Sequence, residues 1–226
     1  MHKTFPFSAI VGQDQMKRSM ILTAIDPTIG GVLVFGDRGT GKSTAVRALA
    51  ALLPEISVID GCPVNSEFAK DVPDWAQNVS KKSVKRQTPV VDLPLGVSED
   101  RVTGALDIQR ALTKGEKAFQ PGLLAHANRG YLYIDEVNLL EDHIVDLLLD
   151  VAQSGENLVE RVGLSVRHAA KFVLVGSGNP EEGELRPQLL DRFGLSVEVT
   201  SPTDIEERVK VIERRDAFER NPKRFI

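Results

Sequence analysis

The sequence contains one cysteine, Cys62, among its 226 residues. One thiol cannot form a disulfide within the chain or supply a four-cysteine zinc site, and scarce cysteine is typical of a reducing compartment. No apolar run approaches the roughly 18 residues that span a bilayer. The first seven residues are too short and too polar for a secretory signal, and Pro6 interrupts them. These absences favour a location in the cytoplasm.

An excess of basic residues is also lacking. The chain has 28 Lys and Arg against 32 Asp and Glu, a formal net charge of -4. Because nucleic-acid affinity depends mainly on neutralising phosphates, this balance argues against a nucleic-acid partner, although a local patch remains possible. The basic run at 81–86, with the lone Trp75, forms either a docking surface or, more simply, a solvated charged face.

The apolar content of 42% is enough for a sizeable core. Predicted strands alternate with predicted helices along the chain, which indicates an α/β protein with a parallel sheet covered by helices on both faces. We expect strands at 31–35, 56–59, 131–134 and 172–175, and helices at 42–53 and 139–152. Residues 1–202 are predicted to form the nucleotide-binding core and residues 203–226 a terminal helix.

Less regular segments lie between these elements. Residues 60–95 show little periodicity and are predicted to form a long surface segment. The partly alternating stretch 105–120 is predicted to be an inserted hairpin that turns at Lys114 and Gly115, after which Pro121 opens a helix. Residues 156–169 alternate around Gly163 and predict a second hairpin. The sequence T-D-I-E from Thr203 to Glu206 predicts a capping box for the last helix.

The segment GDRGTGKST matches the phosphate-binding pattern G-x-x-x-x-G-K-[ST], between a predicted strand and a predicted helix. Glycines let the backbone approach phosphate oxygens, and the helix N-terminus favours an anion. Lys42 is predicted to reach the β and γ phosphates, and the Ser43 hydroxyl to bind Mg²⁺. The predicted nucleotide-binding residues of this loop are Gly36, Asp37, Arg38, Gly39, Thr40, Gly41, Lys42, Ser43 and Thr44.

Two acidic residues follow the apolar strand YLYI. Ligands bind at the carboxyl ends of parallel strands, so we expect Asp135 to bind the same Mg²⁺ as Ser43. Glu136 is then placed to polarise water as general base. Two surface acids at a strand end are the simpler alternative, which the upstream phosphate loop disfavours.

Two further polar residues complete the predicted site. Asn179 follows the apolar run FVLV, where its amide can contact the γ-phosphate and the water, although asparagine before proline is also a common turn signal. Arg192, in LLDRFG, is predicted to act as an arginine finger on the nucleotide of a neighbouring subunit. A salt bridge with Asp191 or Glu184 is the alternative for Arg192, and Arg186 is the reserve candidate for the finger.

Together, GDRGTGKST, YLYIDE and GSGNPEEGELRPQLLDRFG resemble the AAA+ ATPases. Longer runs narrow the resemblance to the ATPase subunit, subunit I, of magnesium chelatases. They include FPFSAIVGQ, VVDLPLGVSEDRVTGALDIQRAL and KAFQPGLLAHANRGYLYIDEVNLLEDHIVDLLLDVAQSGENLVER. The resemblance covers most of residues 5–225 and is weakest at 60–90.

The resemblance implies a bacterial ATPase that uses ATP and Mg²⁺ and forms a homo-oligomeric, hexameric ring. With the chelatase D and H subunits, such a ring drives insertion of Mg²⁺ into protoporphyrin IX on the route to chlorophyll or bacteriochlorophyll, a reaction of the ligases that form nitrogen–metal bonds. It also implies that Ile10, Val11, Gly12 and Gln13 lie near the adenine. The two hairpins would surround the central face of the ring, and Leu93 and Leu95 would lie near subunit contacts. The helical lid of AAA+ proteins is expected to be absent from this chain.

Three other functions compete with this interpretation. A remodelling ATPase of the MoxR type has similar inserted hairpins and acts on protein complexes. A DNA helicase or loader of the MCM type has the same core, but the charge balance disfavours it. A nucleotide-binding scaffold without activity is disfavoured because Lys42, Asp135 and Glu136 are all present.

Overall fold

The computed structural model describes residues 4–37, 39–76, 79–115, 118–161, 164–183, 187–191 and 193–225. The strands are β1 (Gly31–Gly36), β2 (Ile56–Ile59), β3 (Ser83–Arg86), β4 (Val90–Leu93), β5 (Gly104–Leu106), β6 (Phe119–Pro121), β7 (Gly130–Ile134), β8 (Glu156–Arg161), β9 (Leu164–Ala169), β10 (Phe172–Gly178) and β11 (Leu195–Val199). The helices are α1 (Asp14–Ile25), α2 (Lys42–Leu52), α3 (Glu99–Thr103), α4 (Ile108–Lys114), α5 (Leu123–Ala127), α6 (Asp142–Ser154), α7 (Pro187–Leu190), α8 (Ile205–Arg220) and α9 (Pro222–Phe225).

Five strands form a parallel sheet in the order β11-β1-β10-β7-β4. In this sheet Val32 lies opposite Leu195, and Val90 lies opposite Tyr131. All five residues of β7 are buried, as expected for a strand covered on both faces. The predicted α/β fold with a parallel sheet flanked by helices is therefore confirmed.

The described residues divide into two compact units. The first unit lies within 1–53, 136–138 and 175–226, and the second within 54–135 and 139–174. In the first unit, Met16 and Met20 of α1 are fully buried, and so are the core residues of β1. The N-terminal segment is held to the last helices by aromatic contacts, with the rings of Phe5 and Phe218 5.2 Å apart. These contacts fix the position of α8 in the first unit.

In the second unit, the hairpin β8–β9 packs beside an aromatic cluster. The strands pair from Glu156 with Ala169 to Arg161 with Leu164, which confirms the predicted hairpin. Its turn, at 162–163, lies outside the described residues. The ring of Trp75 lies 4.7 Å from that of Phe119 and 5.8 Å from that of His168.

The prediction of a surface segment at 60–95 is wrong in part. This stretch contains β3 and β4, and Cys62 and Val64 belong to a buried cluster. Asn65 is also buried. Its side-chain amide can be buried because it donates to the carbonyls of His126, at 3.0 Å, and Asn128, at 3.1 Å. Hydrogen bonds to residues about 60 positions away satisfy these polar groups, and the local sequence does not show them.

The prediction of a simple hairpin at 105–120 is also wrong. The strands β5 and β6 do pair in antiparallel fashion, but α4 lies between them. Asp107 begins this helix, since its carboxylate accepts from the Arg110 N–H at 2.9 Å. Gly115, with φ of 67°, ends the helix rather than forming a hairpin turn. Pro121 is the last residue of β6 and does not open a helix.

Two smaller predictions also need correction. The helix predicted from residue 139 begins at Asp142, after a 3-10 turn at Val137–Leu139. The last helix is capped by Asp204, whose carboxylate accepts from the Glu206 N–H at 3.3 Å, and not by Thr203. Leu93 is 3% exposed within the chain and Leu95 is 43% exposed, and their place near subunit contacts stays a prediction. Among the described helices, none is long and apolar enough to cross a membrane.

Candidate functional site

The loop between β1 and α2 has the backbone of an anion site. Gly36, Gly39 and Gly41 have φ values of 154°, 80° and 83°. A Cβ on Gly36 would lie 1.9 Å from the carbonyl oxygen of Val199, whereas one on Gly39 or Gly41 would meet nothing within 4 Å. The side chain of Thr40 donates to the Asp37 carbonyl at 2.9 Å and braces the loop. Glycine is therefore required by close packing at one end of the loop, and the other end is open to a ligand.

Lys42 lies at the start of α2 with its ammonium group folded over this loop. Its Nζ donates to the Gly36 carbonyl and, at 2.9 Å, to the Asp37 carbonyl. Ser43 and Thr44 follow in the first turn of α2, where the helix dipole favours negative charge. A phosphate oxygen is a stronger acceptor for the ammonium than a neutral carbonyl, so the loop residues fit a bound polyphosphate.

A cavity of about 250 Å³ opens beside the loop, within the first unit. It brings together these predicted nucleotide-binding residues: Ile10, Val11, Gly39, Thr40, Gly41 and Thr44. Their contact with a nucleotide stays a prediction.

Gln13, which the resemblance also implies to lie near the adenine, lines the same cavity. Other lining residues were missed by sequence reasoning, namely Phe5, Ala9, Pro202, Val211, Arg214 and Arg215. Arg214 donates to the Ala9 carbonyl at 3.0 Å, and Arg215 pairs with Glu219 at 2.6 Å. The contact of Arg214 with Ala9 joins residues 205 positions apart, which no local pattern shows. The pair of adjacent arginines in α8 was the one sequence feature that could have suggested a contribution of this helix to the cavity.

Glu136 and Asn179 belong to the same unit as the phosphate loop. Glu136 has a left-handed backbone with φ of 55°, and its N–H lies 3.4 Å from the hydroxyl oxygen of Ser177. Asn179 is 3% exposed and its Oδ1 accepts from the Glu181 N–H at 3.1 Å. This bond caps the 3-10 turn Pro180–Glu182, so the turn reading of Asn179 holds as well. Its Nδ2 carries the donors that a phosphate oxygen requires.

Asp135 belongs to the second unit. It is exposed at the end of β7, and its carboxylate accepts from the Tyr133 hydroxyl at 2.9 Å. A hydroxyl and a carboxylate are oxygen donors of the kind that Mg²⁺ prefers. The pairing of Ser43 with Asp135 as metal ligands stays a prediction.

The predicted finger Arg192, its reserve Arg186 and the loop residue Arg38 lie outside the described residues. The neighbouring Phe193 is 6% exposed. A Cβ on Gly176 of β10 would lie 2.8 Å from the ring of Phe193. The role of Arg192 stays a prediction.

Comparisons of this chain with a family model and with known proteins all indicate the same family. The family model described as "Magnesium chelatase, subunit ChlI" matches residues 6–188. The magnesium-chelatase 38 kDa subunit of Cereibacter sphaeroides is 77% identical over 226 residues, which are all of this chain and 68% of that protein. The corresponding subunit of Rhodobacter capsulatus is 75% identical over 98% of this chain and 63% of that protein. The chain thus spans about two thirds of the length of these relatives.

A solved structure agrees with these matches. It describes the complex between subunits BchI and BchD of magnesium chelatase, based on a cryo-EM reconstruction. One of its chains is 74% identical with a TM-score of 0.82, over 99% of this chain and 70% of that one.

Proposed function

Since the chain belongs to the magnesium chelatase subunit I family, we propose that it is the ATP-hydrolysing part of a magnesium chelatase. Hydrolysis of Mg·ATP in a ring of these subunits then drives insertion of Mg²⁺ into protoporphyrin IX. The observation that carries the proposal is the open glycine loop at the start of α2, in one compact unit with Glu136 and Asn179.

Binding begins at the loop. The N–H groups from Gly39 to Ser43 and the dipole of α2 offer positive potential to the β and γ phosphates. Lys42 exchanges the carbonyls of Gly36 and Asp37 for phosphate oxygens. Ser43 and Asp135 are the proposed ligands of a Mg²⁺ ion, which when bound neutralises charge on the phosphates. Ile10 and Val11 contribute apolar surface for the adenine.

Hydrolysis needs a base and groups that stabilise the transferring phosphoryl group. Glu136 takes the proton of the attacking water. Asn179, whose Oδ1 is fixed by the Glu181 N–H, directs its amide nitrogen at the γ-phosphate. Arg192 of a neighbouring subunit supplies a cation that is worth about 10³ to 10⁵ in rate in related phosphoryl transfers.

The proposed assembly is a hexameric ring that works in the bacterial cytoplasm with a D subunit and a porphyrin-binding H subunit. Support for the D subunit comes from the similar BchI chain, which is described in a complex with BchD. The match of 183 residues to the ChlI model favours this function over a MoxR-type remodelling ATPase. A nucleic-acid partner is disfavoured by the net charge of -4.

The test is reconstitution with D and H subunits, protoporphyrin IX, Mg²⁺ and ATP, following the fluorescence of magnesium protoporphyrin. We expect the wild-type chain to support metal insertion. Glu136→Gln should bind ATP but lower both ATP turnover and insertion by about 10² to 10⁴. Glu55→Gln is the matched control, because Glu55 is an exposed acid before β2. Normal insertion with Glu136→Gln, or none with wild type, contradicts the proposal.

A further inference from the structure

Asn138 lies two residues after Glu136, in the short 3-10 turn Val137–Leu139. Both polar atoms of its side chain, Nδ2 and Oδ1, are buried and have no hydrogen-bond partner in the described part of the chain. Buried amides without partners are rare in native proteins, because desolvating a donor and an acceptor is costly when no hydrogen bond replaces the water. The side chain therefore needs an explanation.

Other buried asparagines of the described chain do not share this feature. Asn65, Asn128 and Asn157 each donate a hydrogen bond from the side-chain amide to a main-chain carbonyl, and Asn179 accepts one from a main-chain N–H. An asparagine kept only to hold the fold together would be expected to bond in the same way. Asn138 instead resembles a polar group whose partner is a ligand or an ordered water.

The surroundings of Asn138 place it beside the proposed catalytic residues. A Cβ added to Gly178 would lie 3.3 Å from the Oδ1 of Asn138 and 2.8 Å from the ring of Phe35. The Phe35 ring is the closer of the two contacts and is the main reason for glycine at 178, and the amide of Asn138 lies close beside it. Gly178 lies between Ser177 and Asn179 in the sequence. The hydroxyl oxygen of Ser177 lies 3.4 Å from the Glu136 N–H. Asn138 therefore lies where the turn that carries Glu136 meets the end of the strand that leads to Asn179.

We propose that Asn138 is a positioning residue for ATP hydrolysis, whose amide gains its partners from ordered water that enters with Mg·ATP. It then holds the turn that carries Glu136 against the end of β10, in the geometry that hydrolysis requires. An amide suits this task because it donates and accepts, and so can fix a water in one orientation. A carboxylate such as that of Glu136 only accepts. This inference rests on the proposed ATPase function.

The test compares Asn138→Leu, which keeps the volume and removes both polar atoms, with wild type in the reconstituted chelatase. Without nucleotide, we expect the thermal midpoint of Asn138→Leu to equal or exceed that of wild type, because an unpaired buried amide is gone. With nucleotide, turnover should fall at least about tenfold while the KM for ATP stays within about threefold, as expected for an interaction made in the transition state. Leu139→Ala, in the same turn and half-exposed, is the control and should leave turnover unchanged.

Asn138→Ser is the second variant, in case Asn138→Leu does not fold. Its hydroxyl also donates and accepts and leaves room for a water, so it should recover part of the turnover. Turnover by Asn138→Leu at the wild-type rate would overturn this inference alone, and so would a fall in thermal midpoint without nucleotide for both variants. Absence of ATP turnover in wild type would instead overturn the proposed function, and this inference with it.

Discussion

Gly36 must be glycine for two reasons, its backbone conformation and its close contact with a neighbouring strand. Its φ of 154° is unfavourable for other residues, and a Cβ there would collide with the Val199 carbonyl of β11. We predict that Gly36→Ala lowers the free energy of unfolding by about 2 kcal/mol or more, since a main-chain oxygen cannot move aside without displacing a strand. Urea unfolding measures this change.

Gly39→Ala is the matched control for that variant. Gly39 has φ of 80° but open space around it, so only the left-handed backbone is penalised, at about 1 kcal/mol. Equal losses of stability in the two variants would show that the contact with β11 has no energetic consequence.

At the scale of single residues, much of the candidate site could be predicted from the sequence because its motif is contiguous. Gly36 to Thr44 are contiguous in the sequence, so local spacing alone predicts their roles. The contribution of α8 could not be predicted, because Arg214 reaches the cavity through a hydrogen bond to Ala9, 205 residues away in sequence. Nor could the unpaired amide of Asn138, which becomes visible only when the partners of buried groups are known.

Among the elements, the hairpin β8–β9 carries a buried histidine. His168 is 3% exposed, and its Nε2 lies 2.9 Å from the Nδ2 of Asn157, which also donates to the Thr103 carbonyl. An amide nitrogen only donates, so Nε2 accepts, and Nδ1–H donates to the Ala169 carbonyl at 2.9 Å. Burial lowers the pKa of His168 below its ordinary value of 6.5, because the charged ring is disfavoured away from water. The backbone hydrogen bonds to Ala169 and Thr103 oppose this shift but do not cancel it.

This arrangement predicts a pH dependence of stability. Below pH 6.5 the unfolded chain binds a proton at His168 that the folded chain does not, so the free energy of unfolding falls as pH falls towards the lowered pKa. Between pH 7.5 and 5.5, urea unfolding of His168→Phe should show a smaller loss of stability than wild type. The pKa of His126 is also lowered, by burial and then by Arg86. His126 therefore keeps part of the pH dependence of stability in His168→Phe.

His143→Gln serves as the control for that measurement, because the side chain of His143 is 55% exposed on α6. It should keep the wild-type loss of stability. A loss in His168→Phe equal to that of wild type would show that the buried ring does not titrate as the geometry requires.

The elements differ in how well the sequence predicts them. The strands β1, β7 and β10 and the hairpin β8–β9 follow from apolar runs and alternation alone. β4 and β11 escape prediction because each is a short strand at an edge of the sheet, stabilised by pairing with a distant neighbour. α4 escapes because the capping signal of Asp107 is one residue within a stretch that also alternates.

At the scale of the whole molecule, the proposed ring requires that neighbouring subunits share each ATP site. If Arg192 completes the neighbour's site, Arg192→Ala and Glu136→Gln subunits, each inactive alone, should regain up to about a quarter of wild-type ATP turnover when mixed equally, because some sites then combine an intact Glu136 with an intact Arg192 from the neighbouring subunit. Turnover measured across mixing ratios decides this. Mixtures that stay as inactive as each variant alone would contradict a shared site.

The account depends most on the binding of Mg·ATP by the loop from Gly36 to Thr44. Isothermal titration calorimetry of wild type and Lys42→Ala with Mg·ATP measures this binding directly. Removing the Lys42 ammonium deletes the charge that pairs with the β and γ phosphates, so the account predicts binding to wild type and none detectable to Lys42→Ala. Equal affinities for the two proteins would contradict it.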